Sequence, residues 1–213
     1  MKIAVDLDDI LAEFFPHFLS FHNERYGTNY TVLSVKTITT GFIDFLPLEL
    51  PEVIRRIVEF YHSDHLPMLP LIQGAKEGMK VLSHDNEVII VTGRPLSIKS
   101  ETGKWLDTHF QSHYNDIYFA DKDVGKHKSK GELLEKLGVD YFIEDMLRYV
   151  NECEPYSFRV LMYNYPWNQV PTLPKNTKRI NSWHEAVNII TDSKVKADKR
   201  TTSLSNPRKG SYV

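Results

Sequence analysis

The sequence predicts an α/β protein: a doubly wound parallel sheet with a small helical unit inserted after its first strand. Short apolar runs at residues 2–6, 87–92, 116–120, 141–144 and 159–163 have the length and the Val, Ile, Tyr and Phe content of buried strands. Helical patterns separate most of them, and strands alternating with helices build a parallel sheet with helices on both faces. Only between Phe14 and Leu71 does the alternation lapse. In such folds the functional groups gather at the carboxyl ends of the strands.

The first strand runs into Asp6-Leu7-Asp8-Asp9. Alternate strand residues share a face, so Asp6 and Asp8 aim at one spot while Asp9 points away and is read as structural. Two converging carboxylates suit a hard cation or an acid/base couple; a polar turn after an edge strand fits the tetrapeptide as well. Next come helical stretches at 14–26 and 49–62, with apolar residues at helical spacing (Phe14, Phe18, Phe21; Val53, Ile57, Phe60). They form an inserted cap over 14–71, placed above the carboxylates, between core segments 1–13 and 72–193. The remaining helices are expected at 72–83, 98–110, 130–137 and 182–190.

At 213 residues the chain suits one domain, or one domain with an insertion, and 41% hydrophobic with 25% charged residues is an ordinary globular balance. No run of eighteen apolar residues exists, so no membrane span is expected, and acids at positions 6, 8 and 9 interrupt any signal peptide. The default compartment is therefore the cytoplasm. Cys153 is the single cysteine, which excludes an internal disulfide and leaves oxygen or imidazole to hold any metal. From Lys194 onward six basic residues face one acid, a charge of +5 that leaves −7 on residues 1–193. That final segment reads as a disordered basic tail, and the acidic body argues against nucleic acid as a partner.

Later strands also end in polar groups. The second runs into Thr92-Gly93-Arg94-Pro95, either a turn into a helix or a hydroxyl and amides that receive phosphate oxygens. Lys130 opens a helix, where it opposes the macrodipole; an anion or several carboxylates nearby explain it, as does a solvated surface position. The fourth strand ends in Glu144-Asp145, which with Asp6 and Asp8 supplies oxygen ligands enough for Mg²⁺. An EF-hand loop is excluded because Ile10 and Leu11 fall where a ligand and the turn glycine belong, and no Walker-type loop is present.

In this order, Asp-x-Asp, Thr, Lys and Glu-Asp resemble the four motifs of the haloacid dehalogenase-like phosphohydrolase superfamily over roughly residues 1 to 190. Within it the chain is similar to the 5′(3′)-deoxyribonucleotidase, or type C 5′-nucleotidase, group: residues 6–14, Pro70-Leu71-Ile72-Gln73-Gly74-Ala75, Pro166-Trp167-Asn168 and 179–183 carry the likeness. The resemblance implies a Rossmann-like core in which Asp6 is the nucleophile, Asp8 the proton carrier, and Thr92 and Lys130 the phosphoryl contacts. It also implies Mg²⁺ held by Asp6, Asp8 through its backbone carbonyl, Asp145 and, less directly, Glu144. An acid at position 8 favours phosphate transfer over dehalogenation, since an alkoxide leaving group needs a proton.

The expected partner is a small phosphate ester, a nucleoside monophosphate, with the base against Phe14 and the phosphoryl group at Thr92, Gly93, Arg94 and Lys130; a homodimer is compatible with the sequence. Thr-Gly-Arg departs from the Ser-Pro continuation of the mammalian-type enzymes and resembles polynucleotide end-repair phosphatases, where Arg94 would read a second phosphate. Against a 3′-phosphatase acting on polynucleotides, residues 16–70 contain four Lys/Arg and six Asp/Glu, which is not a basic groove. A non-catalytic binding protein on the same fold is the other alternative, disfavoured because every motif position is filled.

Overall fold

The computed structural model describes residues 1–35, 38, 45–120 and 129–204, those from 196 on by their backbone alone. Six parallel strands form one sheet in the order β3-β2-β1-β4-β5-β6: β1 Lys2–Val5, β2 Glu87–Thr92, β3 Asp116–Phe119, β4 Tyr141–Glu144, β5 Arg159–Tyr163 and β6 Thr177–Ile180. Strand alternation divides the core in two. Ile3, Val5, Val88, Ile90 and Ile143 point to one face, under α3 (Ala75–Asp85), α4 (Lys99–Phe110) and α7 (Trp183–Leu204). Ala4, Ile89, Val91, Phe142 and Val160 point to the other, under α5 (Lys130–Lys136) and α6 (Leu147–Glu152). Buried on both faces, β1, β2, β4 and β5 are continuous apolar runs rather than alternating ones.

The chain leaves β1 toward β2 on one side and later returns to β4 on the other, so the strand order reverses between β1 and β4. In open α/β sheets a crevice forms at the carboxyl ends at such a point. Register brings the relevant residues level: Val5 faces Ile90 and Ile143, so the next residue, Asp6, lies beside the ends of β2 and β4, its N–H donating to the Ile143 carbonyl at 3.0 Å.

The inserted segment holds α1 (Phe15–Tyr26) and α2 (Leu50–Tyr61). Its two connections to the sheet are pinned side by side, Glu13 N–H donating to the Pro70 carbonyl and Ile72 N–H to the Leu11 carbonyl, each at 2.8 Å. The Trp183 indole N–H ties the same region to the Ile10 carbonyl at 2.9 Å. This pairing explains why α3 starts at Ala75 instead of residue 72: Leu71 bridges to Ala12, and Gly74, at φ +81°, then turns the chain into the helix.

Three elements differ from the sequence reading. β6 is an edge strand of sequence Thr-Lys-Arg-Ile with Lys178 exposed and Arg179 partly buried, so it has no apolar run to betray it. Six-residue α6 is too short for a helical period. The segment expected as a disordered tail from 194 begins as helix, because α7 continues to Leu204; residues 205–213 lie outside the described residues. Trp183, Ala186 and Ile190 anchor α7 in the core, and Lys194 reaches the Asp85 carboxylate at 3.6 Å, so the helix propagates from a packed start. Among the described residues no helix is long and apolar enough to cross a membrane.

Candidate active site

Four charged side chains meet at the β1/β4 crevice. Lys130 Nζ donates to Asp6 Oδ1 and to Glu144 Oε2, both at 2.7 Å, with the lysine and glutamate side chains fully buried. Local structure delivers that lysine: Ser129 caps α5 by accepting the Glu132 N–H at 3.1 Å, and Lys130 points from the first turn into the sheet. The cost of placing a cation against the helix dipole is offset by two carboxylates. Glu144 also accepts the backbone N–H groups of Asp145 and Met146 through Oε1, at 3.0 and 2.9 Å. Both of its oxygens are therefore engaged within the protein.

Asp145 is held by residues to which the sequence assigned no role. The Trp167 indole N–H donates to Asp145 Oδ2 at 2.8 Å, and the Asn168 amide donates to the Asp145 carbonyl at 2.8 Å. Arg179 in turn donates to Asn168 Oδ1 at 2.6 Å, so the edge strand β6 supports the site through this relay. The clue was Pro-Trp-Asn just beyond β5, at the same end of the sheet as the acids.

Asp8 belongs to a second pair. Arg94 Nη2 donates to its Oδ1 at 2.6 Å and Nε to its Oδ2 at 3.0 Å. Arg94 is wholly buried whereas the Asp8 side chain is 19% exposed. Arg94, expected from the sequence at the phosphoryl group, has its guanidinium turned inward onto Asp8, and its backbone N–H donates to the Thr92 hydroxyl at 3.1 Å. Gly93 stays exposed at the mouth, and a Cβ there would lie 2.7 Å from the Tyr149 hydroxyl, so glycine is the residue that fits. The Tyr149 ring also sits 4.1 Å from Lys130 Nζ.

Asp9 and Phe14 serve the framework. Asp9 has φ 58°, and its carboxylate accepts the N–H groups of Phe14 and Phe15 at 3.1 and 3.0 Å, fixing the start of α1. Phe14, expected against a substrate's base, is 2% exposed and packs edge-on to Phe60 at 5.2 Å and against Tyr61 at 5.5 Å. It is a core residue of the inserted segment. Tyr61, at the end of α2, has its ring 5.9 Å from the guanidinium carbon of Arg94, and burial first, then the Asp8 charge, raises its pKa well above the ordinary value.

The electrostatics describe a site short of positive charge. Asp6, Glu144 and Asp145 each bring an oxygen within 4.8 Å of the others and all are buried, so with Lys130 they carry a formal −2. Burial, then the Glu144 charge, pushes the Asp6 carboxyl up to about 8, while Asp145 is raised well above the usual carboxylate range by burial and the same neighbour. Burial alone would lower the Lys130 pKa, but Asp6 and Glu144 outweigh it and hold the ammonium charged. An all-oxygen set with two missing positive charges fits Mg²⁺.

A family model described as 5′ nucleotidase, deoxy (pyrimidine), cytosolic type C protein matches residues 1–197. The chain belongs to this family. It is accordingly a haloacid dehalogenase-like phosphohydrolase. No curated protein matches this nucleotidase-family chain in sequence. Solved structures share its fold at low identity. A haloacid dehalogenase-like family hydrolase from Streptococcus pneumoniae is 12% identical at a TM-score of 0.65, covering 89% of this chain and 97% of its own. A family hydrolase from Deinococcus radiodurans, with bound phosphate and sodium, is 16% identical at 0.61, covering 87% and 92%. The putative hydrolase YfnB from Bacillus subtilis, bound to magnesium, is 17% identical at 0.59, covering 88% and 97%.

Proposed function

We propose that the chain is a Mg²⁺-dependent nucleotidase of the cytoplasm that hydrolyses (deoxy)nucleoside monophosphates through an aspartyl phosphate on Asp6. The observation that carries the reading is the division of labour at the end of β1. Asp6 is held by an ammonium through one oxygen, while Asp8, two residues on, is held by a guanidinium and keeps contact with solvent. Two carboxylates with different partners suit two different roles.

In the first step Asp6 attacks phosphorus in line; the new bond joins Asp6 oxygen to phosphorus, the phosphorus–alkoxide bond breaks, and a proton from Asp8 goes to the leaving oxygen. In the second, water attacks the same phosphorus, gives its proton to Asp8, and Asp6 leaves as a carboxylate. The Thr92 hydroxyl and the exposed Gly93 amide receive phosphoryl oxygens, and Lys130 fixes Asp6 while adding positive charge. Asp6, Asp145 and the Asp8 carbonyl would hold Mg²⁺, which supplies charge to the phosphoryl oxygens when bound. Glu144 positions Lys130 instead of joining them. Residues 14–71 act as the cap that selects the substrate, its Phe14, Phe18 and Phe60 cluster setting Tyr61 beside the acids.

A panel of deoxy- and ribonucleoside 5′- and 3′-monophosphates, with oligonucleotide 3′-phosphates alongside, tests this. Turnover of monophosphates that requires Mg²⁺ and is insensitive to moderate salt is expected. Failure to hydrolyse any monophosphate in saturating Mg²⁺ would overturn it.

A further inference from the structure

We infer that Arg94 is a positioning residue for proton transfer: its guanidinium fork, backed by Thr102, sets the direction in which Asp8 presents its carboxyl to the leaving group. This rests on Asp8 being the proton carrier, as proposed above. Arg94 is immobilised along its length. Its backbone N–H is taken by the Thr92 hydroxyl at 3.1 Å, its Nη1 lies 3.4 Å from Oγ1 of buried Thr102 in α4, and its guanidinium carbon is 5.9 Å from the Tyr61 ring. Nothing of the side chain reaches solvent, so it cannot meet a solute without rearrangement.

The contact with Asp8 is uneven. Oδ1 takes Nη2 at 2.6 Å and Nε at 3.2 Å, whereas Oδ2 takes only the Nε bond, at 3.0 Å. A planar fork against a planar carboxylate fixes both side-chain torsions of the aspartate, which a single ammonium cannot do. Oδ2, with the lighter hydrogen bonding, is the oxygen left to exchange a proton, and the Asp8 side chain, unlike that of Arg94, keeps 19% of its surface exposed. A buried ion pair is weak evidence for stability, since a well-packed apolar pair of equal volume often serves as well. What the fork adds is orientation, and general acid catalysis depends on it.

Leaving groups separate positioning from mere structural support. A p-nitrophenolate departs without a proton; a nucleoside alkoxide does not. The first-step rate is read in saturating Mg²⁺ as pre-steady-state release of p-nitrophenol or nucleoside, for the unmodified enzyme and for Asp8→Asn, Arg94→Lys and Thr102→Val. Arg94→Lys keeps the charge and loses the fork. It is expected to lose about tenfold or more beyond its aryl loss on the nucleotide, in the same direction as Asp8→Asn. Thr102→Val keeps the arginine and its fold, and is expected to show a smaller loss with the same selectivity. Equal losses on both substrates in Arg94→Lys and Thr102→Val, with Asp8→Asn selective, would overturn the role of Arg94 alone. Equal losses in Asp8→Asn would overturn the assignment of Asp8 and this inference with it.

Discussion

Two charge clusters in this protein have the same chemistry and opposite settings. On the outer face of α1 and α2, Arg25, Arg55 and Arg56 pair with Glu52 and Glu59 at 2.7 to 3.0 Å. Glu52 is held at about 2 by its bonds from Arg55 and Arg56, and Glu59 at about 2 by Tyr26 and Arg25. Every carboxylate there has a cation, and water and salt screen the pairs. At the β1/β4 crevice three buried carboxylates lie around one ammonium, which bonds two of them, and the Asp6 and Asp145 carboxyls move up instead of down. The surface cluster is complete by itself, and the buried one is balanced only when something positive joins it. An arrangement that costs stability and is still present points to function.

Removing the single cation should break the comparison most severely. Lys130→Met leaves Asp6 and Glu144 buried without their partner, so a loss of about 3–5 kcal/mol in denaturant unfolding is expected. Turnover should fall on the order of 10²–10³-fold. An unchanged unfolding midpoint would contradict the shared-charge picture.

Changing pH and metal sharpens it. Asp6 holds its proton to about 8 in the folded chain against 3.8 ordinarily, so the folded state binds more protons than the unfolded one and stability declines as pH rises through that window. Asp9 and Asp145 shift in the same direction. The metal-free melting midpoint should therefore fall from about pH 5 to about pH 8, and Mg²⁺ should restore it most at the higher pH. Asp145→Asn relieves one like charge while keeping an acceptor for the Trp167 indole. It should raise the metal-free midpoint at the higher pH, remove most of the Mg²⁺ response and depress turnover, all readable by thermal scanning and a phosphate assay. The smallest effect belongs to the surface: Glu59→Gln should leave turnover unchanged and the melting midpoint within scatter, the reverse of any buried substitution.

How much of this was legible beforehand follows from the kind of residue involved. β1, β2, β4 and β5 announced themselves because a strand covered on both faces must be apolar throughout; edge strand β3 keeps Ile, Tyr and Phe, whereas edge strand β6, carrying Lys178 and Arg179, escaped. The polar composition after residue 193 reads as a tail, yet a helix anchored by Trp183 carries residues 194–204 with it. Acids at strand ends were visible because spacing determines which face they share. The direction of Arg94 was not, since its partners Asp8 and Thr102 lie in other elements. The surroundings of Phe14 were hidden for a related reason: an aromatic following the motif can face the crevice or the interior of the inserted segment, and its contacts are with Phe60 and Tyr61, far off in sequence. The support of Asp145 by Trp167, Asn168 and Arg179 is likewise a long-range matter.

The central claim is that Asp6 carries the phosphoryl group during turnover. Rapid acid quench of the Asp8→Asn enzyme with p-nitrophenyl phosphate labelled in its phosphate, a substrate whose leaving group needs no proton, followed by peptide mapping, tests it directly. The expected result is label on the peptide containing Asp6, released by hydroxylamine as an acyl phosphate and missing from Asp6→Asn, which should have no measurable turnover. Label at another residue, or an Asp6→Asn enzyme that still hydrolyses nucleotides, would contradict it.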